Sequence, residues 1–373
     1  MNDLMKWQRA SGKFLVALTA VLVLGCAPVQ EQQKKSGATD QLIYPLPPDE
    51  PRFVFERTIY GSADVVPQRN NLALKQALTG ELGTSEGLAK PYAVAVHRGR
   101  IFVSDSADRF VKVFDVVEGT YSKIGDDDKG PLVKPLGIDV DSSGNLYVAD
   151  ASAKAVMVYS RTGKFIRKIG GPKIFERLSS VTVDSIGQRV LVTDIGGVSS
   201  DQHKVRVFDT VTGNHLFDIG KRGIGPGEFN LPRDAAIGKN GQIYVVDGGN
   251  FRVQVFDRDG KYIQSFGSVG KQLGNFARPK EIATDAAGNV YVVDAAFGNF
   301  QIFNPDGDLL MFIGERSERD GPARYMLPSG IYIDEDGRIY MVDQWFKKID
   351  IFRPFALAAD AGFLGKRPAA VAK

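Results

Sequence analysis

RPKEIATDAAGNVYVVD (278–294) decides how this chain is read. A Pro opens the stretch, and an apolar alternation follows it. Asp285 to Asn289 makes a turn around Gly288, and a second apolar run ends in Asp294. Alternation with a period of two, broken by turn residues, describes a pair of antiparallel strands. The phrase returns as KPLGIDVDSSGNLYVAD (134–150), LPRDAAIGKNGQIYVVD (231–247) and LPSGIYIDEDGRIYMVD (327–343). KPYAVAVHRGRIFVSD (90–105) and LSSVTVDSIGQRVLVTD (178–194) are looser copies, with Ser179 where Pro is expected. After each copy comes a third strand such as VQVFD (253–257) or VKVFD (111–115). A turn such as Arg258-Asp259-Gly260 leads to a fourth, such as YIQSFG (262–267).

The closing Asp residues stand at 105, 150, 194, 247, 294 and 343, in steps of 45, 44, 53, 47 and 49. Four short strands in about 45 residues suit one blade of a β-propeller. The longest step contains IGGVSSDQHK (195–204), read as an insertion. The last unit offers only three strands. RFVFERTIYG (52–61) reads like the missing fourth, and pairing first with last would remove the open sheet edge. The expectation is an all-β, six-bladed propeller over 51–355, with four-stranded antiparallel blades and the last blade closed by an N-terminal strand. Asn71–Leu78 reads as a short helix on the loop into the first blade, and 356–373 as a poorly ordered C-terminal tail.

The repeated phrase resembles the NHL repeat, which runs roughly P-x-G-I-A-V-D, G-N-I-Y-V-A-D, R-I-Q-V-F-D and a Gly turn. The resemblance covers about 51–353. Composition agrees: of 373 residues, 41 are Gly and 23 Phe, and 43% are hydrophobic, too many for a disordered chain. One Cys excludes an internal disulfide and a Cys-based zinc site, and three His argue against a His-rich metal centre.

That Cys is Cys26. Lys6, Arg9 and Lys13 precede Phe14 to Leu24, an uncharged run of 11 residues, and Gly25-Cys26 follows. A basic region, a short apolar region and small residues before a cut describe a secretory signal. Eleven residues are too few to span a bilayer core of roughly 30 Å. Val23-Leu24-Gly25-Cys26 resembles the lipobox of bacterial lipoproteins, which implies a signal over 1–25, acyl chains on Cys26 and a flexible tether over 26–50. The expected location is extracytoplasmic and lipid-anchored, on the outer membrane facing the periplasm in a Gram-negative host, where Ala27 fits that sorting. Losing Lys6, Arg9, Lys13 and Asp3 takes the net charge from +3 to +1, so no whole-protein field attracts nucleic acid, and none is expected as a partner.

The six Asp residues could form a metal or catalytic ring. Their equivalent places in separate blades instead suggest structural staples, each accepting backbone N–H groups of a turn. Amidating lyases that resemble NHL proteins use channel His residues around zinc and calcium. Here His97 reads as part of a hairpin turn, His203 of the insertion and His215 of a later turn, so no metal and no cofactor is expected. Residues opening the innermost strands should surround the central mouth: Tyr92, Leu136, Ser180, Arg233, Asp234, Lys280, Glu281 and Ser329. The mixed charges of Arg233, Asp234, Lys280 and Glu281 favour internal ion pairs or an anionic ligand over Ca²⁺, which wants six to eight oxygens. The same face should carry Arg109, Phe110, Phe251, Arg252, Phe297 and Trp345 on the loops after the Asp residues. Aromatics and Arg anchor binding surfaces, although in such repeats they also pack between blades. Two functions follow from these readings. One is an envelope module that binds a protein, peptide or glycan. The other is a hydrolase or lyase working at the central mouth through Asp234 or Glu281.

Overall fold

Each repeated phrase folds as two antiparallel strands, and each unit adds two more. A computed structural model describes residues 41–67 and 85–365. The expected signal and lipidated Cys26, residues 27–40 of the expected tether, the expected helix over 71–78 and residues 366–373 lie outside the described residues. Blade 1 begins with Pro91–His97 and Arg100–Asp105, blade 2 with Pro135–Val140 and Leu146–Asp150, and blade 3 with Leu178–Asp184 and Arg189–Asp194. Blade 4 begins with Pro232–Ile237 and Ile243–Asp247, blade 5 with Pro279–Thr284 and Val290–Asp294, and blade 6 with Pro328–Ile333 and Ile339–Asp343. In blades 1 to 5 the four strands pair in sequence order. In blade 6 the fourth strand is Phe53–Ile59, which pairs antiparallel with Lys348–Pro354. The fold is therefore an all-β, six-bladed propeller closed by an N-terminal strand.

Both faces of each blade pack on a neighbour, so the second strands of blades 2, 4, 5 and 6 are buried at every position, and burial alternates only along the outermost strands, as in Thr120–Ile124 and Phe165–Ile169. The buried apolar residues fall into six clusters, one at each blade–blade interface. Inter-blade loops add a plug to each. Leu88, Leu132, Phe175, Phe229, Phe276 and Tyr325 stand three residues before the opening of an innermost strand, and all are buried. Each plug from Leu132 onward lies against the Gly that ends the preceding fourth strand. Gly267, for example, has φ +81°, and a Cβ there would stand 2.3 Å from the Phe276 ring. Only Gly meets both the left-handed backbone and the lack of space.

Three expectations need correction. In blade 3 the position of Pro is held by Leu178, not Ser179: Leu178 pairs with Asp194 as Pro135 pairs with Asp150 and Pro279 with Asp294. An apolar side chain buries there as a Pro ring does. The disc also begins before residue 51, because Ile43–Tyr44 pairs with Val54 and Phe53 as a fifth strand of the closing blade. Finally, the chain stays on the disc after Phe355. A helical turn at Gly362–Gly365 buries Leu364 in the cluster between blades 6 and 1. The buried Arg338 guanidinium donates to Glu56 at 2.8 Å and to the Ala361 carbonyl at 2.9 Å, which pins that segment. Among the described residues, no helix is long and apolar enough to cross a membrane.

Candidate functional site

The closing Asp residues are all fully buried and act as staples. Asp294 accepts from the N–H groups of Ala277 and Arg278 in the incoming loop, and from Ala296 and Phe297 in the outgoing turn, at 2.7–3.2 Å. Asp343 does the same with Met326, Leu327, Trp345 and Phe346. The staple thus ties two segments, not only the turn after it. Asp247 differs: one backbone N–H, from Asn230, is joined by the side chains of Asn250, Arg252 and Gln254. Among the described residues, no group of three or more His, Cys, Asp or Glu is placed to hold a metal ion.

The innermost strands open with a β-bulge, between Pro232 and Ala235 in blade 4 and between Pro279 and Ile282 in blade 5. A bulge re-aims the side chains it carries. Arg233 and Lys280 come first, and Asp234 and Glu281 follow and line a channel of about 200 Å³ with Gly137, Asp139, Ser180, Thr182 and Tyr332. Asp139 is not legible from the strand openings, because it stands two positions deeper in blade 2 than Asp234 does in blade 4. No ion pair joins Arg233, Asp234, Lys280 and Glu281, so the expected internal pairs do not form. Asp234 accepts instead from the Ile282 N–H of the next blade at 3.0 Å, and Asp139 from the Val183 N–H at 2.7 Å.

Burial dominates the electrostatics. It raises Asp139 to about 7 and Asp234 to about 6, and holds Glu281 well above the usual carboxylate range, helped by the charge of Asp234. Above them stand cations. Burial, reinforced by Arg278 and Arg233, lowers Lys280 to about 8, and burial with Arg177 and Arg278 nearby also lowers Arg233. Arg177 and Arg278 precede the opening positions of blades 3 and 5 and are exposed. Sequence reasoning passed over both, although the signal was there: a basic residue precedes the opening position at Lys90, Lys134, Arg177 and Arg278.

The opposite end of the channel is acidic. A cavity of about 250 Å³ is lined there by Asp141, Asp285, Asp334, Glu335 and His97 among others. His97 ends the innermost strand of blade 1 rather than lying in a turn, and its Nδ1 faces Glu335 at 3.2 Å. His203 sits in the insertion, with the Leu231 N–H donating to its Nδ1 at 3.1 Å. His215 pairs with Asp218 at 2.7 Å.

The outer-loop candidates divide. Trp345 is 61% exposed, and it shares this face with Ile224 at 80%, Val198 at 77% and Val269 at 69%. Arg109 is exposed, with φ +64°. Arg252 is committed inward, donating to Asp247 at 2.9 Å and to the carbonyls of Gly225 and Glu228. Phe251 packs on the cluster between blades 4 and 5. Phe110 lies under the Lys123 ammonium, 5.5 Å from its ring centre. Phe297 is half-buried.

Comparison with known proteins places this geometry. The NHL repeat family matches residues 229–256, and a family described as "6-bladed beta-propeller" matches residues 82–175. NHL repeat-containing protein 3 of Mus musculus is 28% identical over 113 residues, 28% of this chain and 31% of that protein. A probable peptidyl-alpha-hydroxyglycine alpha-amidating lyase of Caenorhabditis elegans is 34% identical over 112 residues, 29% of this chain and 30% of that protein. The chain therefore matches about a third of the length of these curated relatives. A gluconolactonase from Xanthomonas campestris superposes with a TM-score of 0.56 at 15% identity, over 80% of this chain and 98% of that one, which is a likeness of fold. With the repeat, the closure and these matches together, the chain is a six-bladed β-propeller that carries an NHL repeat over residues 229–256.

Proposed function

We propose that the protein is a binding module of the bacterial envelope, anchored by acyl chains on Cys26, that holds a protein, peptide or glycan on the face carrying the central mouth. The observation that carries this reading is the set of exposed apolar side chains on loops of that one face, Val198, Ile224, Val269 and Trp345. Scattered exposed apolar residues need no explanation, but several on one face mark a contact surface. The stapled turns beneath them make a rigid platform on which variable loops set specificity. The test is retention of envelope partners by detergent-solubilised protein. Partners captured by the wild type should be lost from the Trp345→Ala, Arg233→Gln double variant, and equal capture would contradict the reading. Cys26→Ala should release the protein from membranes, and undiminished membrane retention would remove the anchor.

A second reading is a hydrolase or lyase at the mouth. It is favoured by Glu281, a buried carboxyl in the channel whose protonated form is favoured by burial and by the charge of Asp234, which is the environment of a general acid. The names of the lyase and gluconolactonase relatives lean the same way. Turnover of a lactone or ester panel that is abolished by Glu281→Gln would favour it over the binding module.

A further inference from the structure

We propose that the central mouth is a binding site for the anionic head group of a ligand, a carboxylate or a phosphoryl-type dianion, gripped by Arg177, Arg233, Arg278 and Lys280. The inference rests on the mouth-bearing face being the contact face, and it names the chemistry recognised there.

Arg233 and Lys280 stand on adjacent blades at the mouth, with Arg177 and Arg278 close enough to disfavour protonation of Arg233, and Arg278 that of Lys280 as well. None of the four forms an ion pair with a carboxylate among the described residues, while elsewhere on the disc buried cations are paired, as Lys112 is with Asp105 and Lys348 with Asp350. Lys280 donates to the Pro328 carbonyl at 3.1 Å, which carries no full charge, and four like charges gathered without an ion-pairing carboxylate are a cost to folding that an arriving anion relieves. Guanidinium forks suit planar carboxylates and tetrahedral oxyanions alike.

Two unpartnered polar atoms lie in the mouth region with the cations. Ser329 Oγ, on the strand that opens blade 6, and Glu281 Oε1 in the channel have no hydrogen-bond partner, and both residues are at least nine-tenths buried. The Ser329 hydroxyl can donate a hydrogen bond, and burial favours the protonated form of Glu281, which can donate another. Buried polar groups are nearly always satisfied, so these two point to something that enters from the mouth. The ionised Asp234 beneath limits how deep an anion can go. The head group therefore belongs at the mouth, with the rest of its molecule lying across the apolar outer loops.

The charged and titratable groups facing the mouth are Tyr92 from blade 1, Asp139 from blade 2, Arg177 on the loop into blade 3, Arg233 and Asp234 from blade 4, Arg278, Lys280 and Glu281 from blade 5, and Asp343 from blade 6. Lowering the pH protonates Lys280 near 8 and begins to neutralise Asp234 near 6. Both changes favour an anion.

The experiment is calorimetric titration of the purified, detergent-solubilised full-length protein with sulfate in one arm and oxalate in the other, since both stay dianionic between pH 9 and pH 6. Saturable binding in either arm supports the site, and the arm that binds more tightly tells phosphoryl-type from carboxylate recognition. Binding should tighten from pH 9 to pH 6. The Arg177→Gln, Arg278→Gln pair, exposed and safe for folding, should weaken it at least about tenfold, the effect of losing charge-assisted hydrogen bonds. Asp234→Asn should tighten it about threefold or more at pH 7.5 by removing a like charge. No saturable binding in either arm, or binding that the Arg variants leave unchanged, overturns the site. Because the titration uses only small anions, its failure would leave the contact-face reading to be judged by partner retention alone.

Discussion

The Thr58 hydroxyl donates a hydrogen bond to Asp350 Oδ1 at 2.6 Å across 292 residues of sequence. It is a side-chain contact of the two strands that close the ring. Asp350 is fully buried, accepts the Ala323 N–H through its other oxygen, and lies 3.0 Å from the equally buried Lys348 ammonium. Asp350→Ala takes from Lys348 its fully buried carboxylate and leaves it Asp320, the Gly321 carbonyl and the Tyr325 and Phe346 rings. Breaking one side of a buried pair costs about 3–5 kcal/mol. Chemical denaturation should show a loss of that order, with Thr58→Val losing about 1 kcal/mol, the worth of one hydrogen bond.

The Gly that ends a fourth strand is a second point of failure. Gly267→Ala forces a side chain into left-handed backbone and against the Phe276 ring. The prediction is a loss of at least about 2 kcal/mol, from backbone strain and overpacking together. Gly171→Ala is the comparison, since a Cβ there meets nothing within 4 Å, and its loss in thermal denaturation should be the smaller of the two.

The staples predict a graded effect. Asp294→Ala removes the acceptor of four backbone N–H groups in two loops. Each unsatisfied buried group costs about 1–3 kcal/mol, although loops that relax toward water recover part of it. Denaturation should show a loss of several kcal/mol for Asp294→Ala and less for Asp294→Asn, which keeps one acceptor oxygen. Amide exchange should quicken at Ala277 and Phe297 before it does in the strands.

Glu281 gives a pH dependence of definite sign. Burial raises its folded value well above that of an unfolded Glu, so the folded state keeps a proton that the unfolded state releases as pH rises past about 4.3. Stability from this group is therefore fully present below that value and falls as pH rises toward the folded value. Glu281→Gln cannot ionise, and its nitrogen takes the place of an oxygen that has no partner. The variant and the wild type should melt alike near pH 4, and the variant should be the more stable at pH 8. A wild type that gains on the variant with rising pH would contradict the assignment.

Much of this was legible because a repeat states each rule six times. Blade number, strand order and closure by the segment around Phe53–Ile59 follow from spacing and alternation. The plugs before each innermost strand were legible too, in FNLP, FARP and YMLP, but the eye settles on the Pro and passes over the aromatic three places ahead. Blade 3 misled by one residue because Leu178 buries where Pro does, and only strand register shows it. Ile43–Tyr44 and Leu364 were hidden because two residues pairing with an edge, or one Leu entering a cluster, leave no periodicity. At the mouth, Arg233 and Lys280 were found from their place at strand openings. Their lack of ion partners was not, since it depends on a bulge sending Asp234 and Glu281 into the channel. Arg252 looked like a surface anchor but is held by Asp247, a choice made by geometry that spacing does not record.

The central claim is that the mouth-bearing face is the one that meets a partner. Photo-crosslinking in intact cells tests it most directly, with a photoreactive residue placed at Trp345 or Ile224 on that face, or at Ile186, 93% exposed at the turn between the first two strands of blade 3 on the other face. The account predicts discrete adducts from Trp345 and Ile224 and none from Ile186. Adducts from Ile186 alone, or none from the mouth-bearing face at matched expression, would contradict it.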